Sequence, residues 1–231
     1  MDLVGDGIRG ALDLLLRGDP ETYAIAWLSL WVSGVSTVAA SLVGIPLGIT
    51  LGLRDFPGKG GVRGVLNTLF GLPTVVVGLV LFSLLSRRGP FGALGLLYTP
   101  YAMILGQFVL ATPIVTALTL SAVEGADRRI LDTARTLGAS PSQARWTLLA
   151  EIRFAILAAV MAGFGRVFAE VGVAMMLGGN IRGSTRTLTT GIALQTSRGE
   201  FELGVALGII LLVLAFLVNI GTQVFKTRSA A

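Results

Sequence analysis

The chain has 231 residues, 53% of them hydrophobic and 13% charged, with a mean hydropathy of +0.81 and a formal net charge of +5. A soluble domain of this length carries roughly a quarter charged residues, so the bilayer is the expected solvent. The absence of cysteine and histidine excludes disulfides, thiolate chemistry and the commonest zinc sites. The basic residues sit in short loops between apolar runs, which reads as membrane topology and not as a nucleic-acid footprint.

Residues 1–18 place Leu3, Val4, Ile8, Ala11, Leu12, Leu15 and Leu16 near helical spacing, with Asp2, Asp6, Arg9, Asp13 and Arg17 between them. This segment is too charged to span and is expected to be a helix lying at the membrane interface. It opens with acids where a cleaved signal has a basic region, so it does not read as one. Asp19 is a good N-cap and Pro20 suits the first helical position.

Five segments are long enough to cross, at about 22–53, 62–86, 97–123, 153–178 and 201–225; a span needs ~20 residues for a hydrocarbon core of ~30 Å. The first is overlong, and Pro46 is expected to kink it or end its membrane part early. Five spans put the termini on opposite sides. One set of loops holds Arg54, Lys59, Arg63, Arg128, Arg129, Arg135, Arg145, Arg153, Lys226 and Arg228, against seven basic residues in the other set. The excess places the C-terminus and the 124–152 loop in the cytoplasm and the N-terminus outside. No internal repeat is found, and five unequal spans do not divide into the halves of many secondary transporters.

The 124–152 loop is too polar to span and too well patterned for a slack linker. Ile130, Leu131, Ala134 and Leu137 make one helical face that ends at Gly138, a residue suited to a left-handed cap. A second helix starts at once, with Ser140 as N-cap, Pro141 at the first position and Gln143 completing a capping box. From its physics alone this is a helix–turn–helix bracket, and either an amphipathic connector on the inner leaflet or a docking element satisfies the pattern.

The run from Asp132 through Thr133, Ala134, Arg135, Thr136 and Leu137 to Gly138, followed by Ala139-Ser140-Pro141, resembles the EAA loop of ABC-importer permeases. The resemblance implies that the short helix docks in a cleft of a separate ATPase through Asp132, Ala134, Arg135, Gly138, Ala139, Ser140 and Pro141. Asp132 and Thr133 replace the usual Glu-Ala, and Glu151 stands where the family often has proline. The helix into the fourth span is therefore expected to run on without that break. From about residue 22 onward the chain is similar to permeases of molybdate, sulfate and tungstate importers. Leu72-Pro73-Thr74-Val75-Val76-Val77-Gly78, the stretch from Gly165 to Gly172 and that from Met175 to Gly183 look closest to the tungstate branch. An N-terminal interfacial helix in place of a first span also fits that branch.

The resemblance implies an all-α integral membrane fold, the molybdate-permease-like ABC-importer transmembrane domain. It further implies a homodimer in a prokaryotic cytoplasmic membrane, two ABC ATPase subunits and one extracytoplasmic oxyanion-binding protein. No G-x-x-x-x-G-K-S/T motif occurs, so ATP and Mg belong to the partner ATPase; no catalytic residue, metal or cofactor is expected on this chain. The expected activity is ATP-driven import of an oxyanion by alternating access, tungstate first and molybdate or sulfate second. The rival from another class is an ion-coupled carrier or channel with no motor.

Charges inside a span are costly and point to function. Two lie well inside, Arg166 and Glu170, four apart on one face with Ala162 and Val173. Either Arg166 offers its guanidinium to the anion, or the two form a buried pair that locks helix packing. Ser29, Ser33, Ser36, Thr37 and Ser41 make a hydroxyl stripe on the first span, read as pathway lining (Ser33, Thr37) or as interhelical hydrogen bonding. Thr74 and Gln107 are further polar groups in mid-span. The Gly44/Gly48/Gly52 and Gly165/Ala169/Gly172 faces are expected at helix contacts. The segment 178–200 holds Asn180, Arg182, Arg186 and Arg198 and a short helix after Thr187; it is read as a docking surface for the binding protein, a re-entrant cap, or both.

Overall fold

The computed structural model describes residues 3–127 and 129–228, with the side chains of residues 3, 4 and 221–228 outside the description. Asp2, Arg128 and the side chains of Lys226 and Arg228, used above for pattern and orientation, lie outside the described residues. Every described element is helical. Among the described residues, three helices are long and apolar enough to cross a membrane, and up to five spans result if each of two sharply bent helix pairs counts as one.

The centre is a parallel pair, α2 (Pro20–Leu53) and α5 (Pro100–Glu124). The buried face of α2 repeats at three- and four-residue steps through Ser29, Val32, Ser36, Ala40, Gly44, Gly48 and Gly52. Those glycines let the two backbones meet, since a methyl at Gly48 would stand 2.6 Å from the Thr116 carbonyl and one at Gly52 2.7 Å from Val123. The glycine face thus serves a contact within the chain. Pro46 does not end α2, which continues to Leu53. Both helices begin with a cap followed by proline: Asp19, as expected, and Thr99, whose hydroxyl accepts from the Ala102 N–H.

The 62–86 segment is not one helix. It forms α3 (Lys59–Phe70) and α4 (Thr74–Leu85), bent by 93°. The Gly71 N–H closes α3 on the Thr68 and Leu69 carbonyls, and Pro73 brings no N–H and holds Leu72 out of the helical region. A turn of 3-10 helix (Gly92–Leu94) then leads into α5.

The bracket is α6 (Arg129–Thr136) and α7 (Pro141–Glu151), followed by α8 (Arg153–Phe168). α7 and α8 are bent by 61° around Ile152 although no proline stands there, so the expected continuous helix is corrected. Ile152 is buried with Val123 and Leu148 at the ends of α5 and α7, and this packing holds the elbow. The 153–178 segment is also broken, since α8 stops at Phe168 and α9 (Gly172–Gly178) restarts beyond Glu170.

α10 (Leu188–Ser197) returns into the bundle and runs antiparallel to α11 (Phe201–Arg228). The N-terminal helix α1 (Leu3–Leu16) packs along the start of α11, where Gly7 meets Val205 and Ala11 shares a buried cluster with Ile25, Ala206, Leu207 and Ile210. Large apolar side chains such as Leu42, Leu212 and Phe216 point outward, more than 60% exposed; an apolar surface on this scale belongs in lipid. Tyr23, Trp27 and Tyr101 are exposed near the starts of α2 and α5, where aromatic residues mark the membrane–water level.

Candidate functional site

At the far end of the bundle from Asp19, the bracket is built as its sequence indicates. Gly138 takes φ +88°, and the Ala139 N–H reaches back to the Ala134 carbonyl at 3.0 Å and the Gly138 N–H to Arg135, the paired bonds of a Schellman cap. Ser140 and Gln143 complete the capping box in both directions. Between the two helices lies a concave surface of about 740 Å³, lined by Thr133, Ala134, Leu137, Gly138, Ala139 and Gln143 among others. Leu137 is 83% and Trp146 70% exposed, so two large apolar side chains stand uncovered on this loop.

The seven bracket residues do not share one face. Ala134, Gly138 and Ala139 line the concave surface, with Ser140 and Pro141 at its elbow. Asp132 and Arg135 instead border a separate hollow of about 310 Å³ with Gly52, Val123, Glu124 and Leu148. They face the bundle and the rest face away.

Next to that hollow is a cluster the sequence reading missed. Glu124 ends α5, where a helix dipole disfavours a carboxylate, and Lys59 and Arg63 of α3 both pair with it, Lys59 at 3.1 Å. Lys59 Nζ also donates to the Gly52 carbonyl at the end of α2, 3.1 Å away. One ammonium thereby ties three helix ends together. The signal available was Glu124 itself, an acid closing an apolar span before a basic segment.

In the middle of the bundle, Arg166 Nη1 donates to Glu170 Oε2 at 2.7 Å. Glu170 is 3% exposed, and its other oxygen accepts from the Val173 N–H at 3.2 Å, so the carboxylate caps α9 across the break. Its carbonyl accepts from Thr189 of α10 at 2.9 Å. Thr74, at the start of α4, is so close that a methyl on Gly172 would stand 2.7 Å from its hydroxyl. Four helix ends therefore meet at Glu170, while the Arg166 side chain stays about one-third exposed. α8 beside it presents Ala158, Ala162, Gly165 and Ala169 to an apolar groove of about 550 Å³ shared with α11. Gly165 therefore faces open space and not a helix within the chain.

The hydroxyl stripe is turned into the helix packing. Thr37 bonds the Ser33 carbonyl and Ser36 bonds both Val32 and Ile104 of α5. Ser29 accepts from the Leu188 N–H at 2.8 Å and so caps α10 from another helix. Ser33 and Thr37 are buried in this arrangement.

Near Asp19, the residues read as a docking surface separate. Arg182 is largely exposed and pairs with both oxygens of Glu21, Nε at 2.8 Å; this partner raises its pKa further above the ordinary value. Arg186 is turned inward with its side chain 13% exposed. Asn180 takes φ +51° and donates to the Thr190 carbonyl at 3.2 Å, holding the turn between α9 and α10.

Comparisons with known proteins agree with this architecture. The inward-facing MetNI methionine ABC transporter contains a chain that superposes with a TM-score of 0.72 at 19% identity, covering 92% of this chain and 99% of that one. The tungstate uptake system permease protein TupB of Peptoclostridium acidaminophilum is 41% identical over 95% of this chain and 96% of its own length. Its counterpart in Campylobacter jejuni is 42% identical over 98% of this chain and 95% of its own. The sequence profile described as "Binding-protein-dependent transport system inner membrane component" matches residues 44–230. The chain is a membrane-embedded permease subunit of the binding-protein-dependent ABC-transporter family.

Proposed function

We propose that the chain is the permease of a tungstate importer and acts as a homodimer with two cytoplasmic ATPase subunits and one extracytoplasmic oxyanion-binding protein. Full-length similarity to two tungstate permeases supports the choice of anion; molybdate and sulfate are tetrahedral dianions of the same class and stand second. The bracket lies on the cytoplasmic side, together with the C-terminus, and the N-terminus is outside, in keeping with the excess of Lys and Arg in the bracket-side loops. ATP and Mg sit on the partner ATPase.

The observation that carries the reading is the exposed apolar surface of the bracket. Leu137 and Trp146 are apolar and uncovered, and capping fixes their presentation at both helix ends. Such a face is complementary to a cleft on another protein and wasteful on a slack connector. Asp132 and Arg135, on the bundle side, relay the bracket's movement to the Lys59–Glu124 cluster. One chain offers a single bracket and half a pathway. Two α8 faces meeting across the groove enclose a path bordered by Arg166, which Glu170 orients, with Thr74 at the same level. Ser33 and Thr37 support it from the α2 packing face. Alternating access follows when ATP closes the motor and the brackets follow it. Arg182, with Asn180 shaping the turn behind it, contributes the outer contact to the binding protein, and Arg186 backs it.

Co-expression with the cognate ATPase tests this. The wild-type chain is expected to co-purify with the ATPase, and Leu137→Asp to be recovered alone at the same yield. Equal ATPase recovery with both chains overturns the docking role.

A further inference from the structure

A recess of about 540 Å³ opens beside Asp19 between the starts of α2 and α11 and the helix α10, and it holds Glu21, Arg182, Arg186, Gln195 and Arg198. Its donors outnumber its acceptors. Asp19 is committed to Thr22, whose N–H and hydroxyl lie 2.8 and 2.6 Å away. Glu21 gives both oxygens to Arg182, leaving Arg186 a long 3.4 Å contact. Arg186 Nε is buried with no acceptor, and the Gln195 amide oxygen is buried unpaired; a half-turn of that amide presents two N–H donors instead. Three guanidiniums against two carboxylates leave one net positive charge. The remaining wall is apolar, with Ile25, Leu203 and Leu207.

Depth decides the ligand class. Tyr23 and Trp27, exposed on the first two turns of α2, mark the level of the lipid headgroups, and the recess opens at that level. Arginine forks match phosphate oxygens, and a phosphodiester carries the single negative charge that this recess lacks. A free dianion would bring a second charge beside Glu21. A short acidic side chain on a rigid protein surface does not reach a guanidinium as recessed as Arg186.

We infer that this recess binds the phosphodiester of a membrane phospholipid, with Arg186 and Arg198 on the phosphate and Ile25, Leu203 and Leu207 against its glycerol end. Arg182 on the lip is left to the outer partner, so the lipid site does not depend on the docking reading.

The test is native mass spectrometry of the full chain with its ATPase in mild detergent, after delipidation, with phosphatidylglycerol or diacylglycerol of equal chain length added back. The wild type is expected to retain phosphatidylglycerol and not diacylglycerol. Retention should fall about tenfold or more in Arg186→Gln and in Arg198→Gln, as the loss of a charge-assisted hydrogen bond requires, and stay unchanged in Arg87→Gln, an exposed arginine elsewhere. Arg198 is exposed, so its variant reports even if Arg186→Gln folds poorly. Equal retention of the two lipids overturns the inference, as does loss in Arg87→Gln to the same degree. Arg186-dependent binding of tungstate, or of the binding protein, without any retained phospholipid also overturns it and reassigns the recess to that ligand.

Discussion

Gly48 shows how much of this fold rests on single atoms. Any side chain there strikes the Thr116 carbonyl at 2.6 Å and Thr119 Cβ at 2.7 Å, both on a helix that cannot shift without moving the bundle centre. Gly48→Ala is expected to destabilise the chain by about 1–3 kcal/mol through overpacking, read as a lower unfolding temperature in detergent. Gly34 on the same helix has open space around it, so Gly34→Ala should be neutral or stabilising by up to about 1 kcal/mol from helix propensity. Asp19 makes a second residue-scale prediction. The Thr22 hydroxyl and N–H hold its carboxyl below the ordinary range, so its contribution is full above the unfolded value of about 3.9 and is lost as pH falls through the lower folded value. Thermal unfolding of the wild type should therefore steepen its pH dependence below about pH 4 relative to Asp19→Asn, in which the cap persists without the charge.

Among the elements, the breaks matter more than the spans. Glu170 accepts from both sides of one break, from Arg166 and from the Val173 N–H, while the Thr189 hydroxyl donates to its carbonyl. Removing the carboxylate strands a partly buried guanidinium and uncaps α9, whereas glutamine in place of Arg166 leaves the cap and keeps an N–H donor toward the buried carboxylate. Glu170→Ala is expected to lose a few kcal/mol, within the roughly 3–5 kcal/mol seen for broken buried pairs. Arg166→Gln should retain most of the fold while slowing transport. Folded yield and uptake measured on both variants separate the two, and wild-type uptake by well-folded Arg166→Gln removes Arg166 from the pathway. This pair was legible in sequence as two charges four apart, and so were the bracket, its caps and the short helix after Thr187. The breaks were less so. Pro73 stands at one of them, but proline is also tolerated inside a span, as expected over 62–86, and the bend at Ile152 comes from packing against Val123 and Leu148. The end of α8 is set by a carboxylate choosing a backbone N–H over a helical turn, and hydropathy is blind to both. The Ser29–Leu188 and Glu21–Arg182 contacts join residues about 160 positions apart, so no local pattern announces them.

At the scale of the whole molecule, the described residues form an exposed bracket and a half-open groove, and the sequence carries no Walker motif. In the importer proposed above, the bracket meets a motor, the groove meets a second copy, and the Arg182 end meets a protein that delivers the anion. The most direct measurement is tungstate uptake into proteoliposomes holding the chain with its cognate ATPase and binding protein. The account predicts uptake that requires ATP and the binding protein together and that falls to background with Leu137→Asp, although the permease is still inserted. Uptake driven by an ion gradient without ATP, or undiminished in Leu137→Asp, would contradict it.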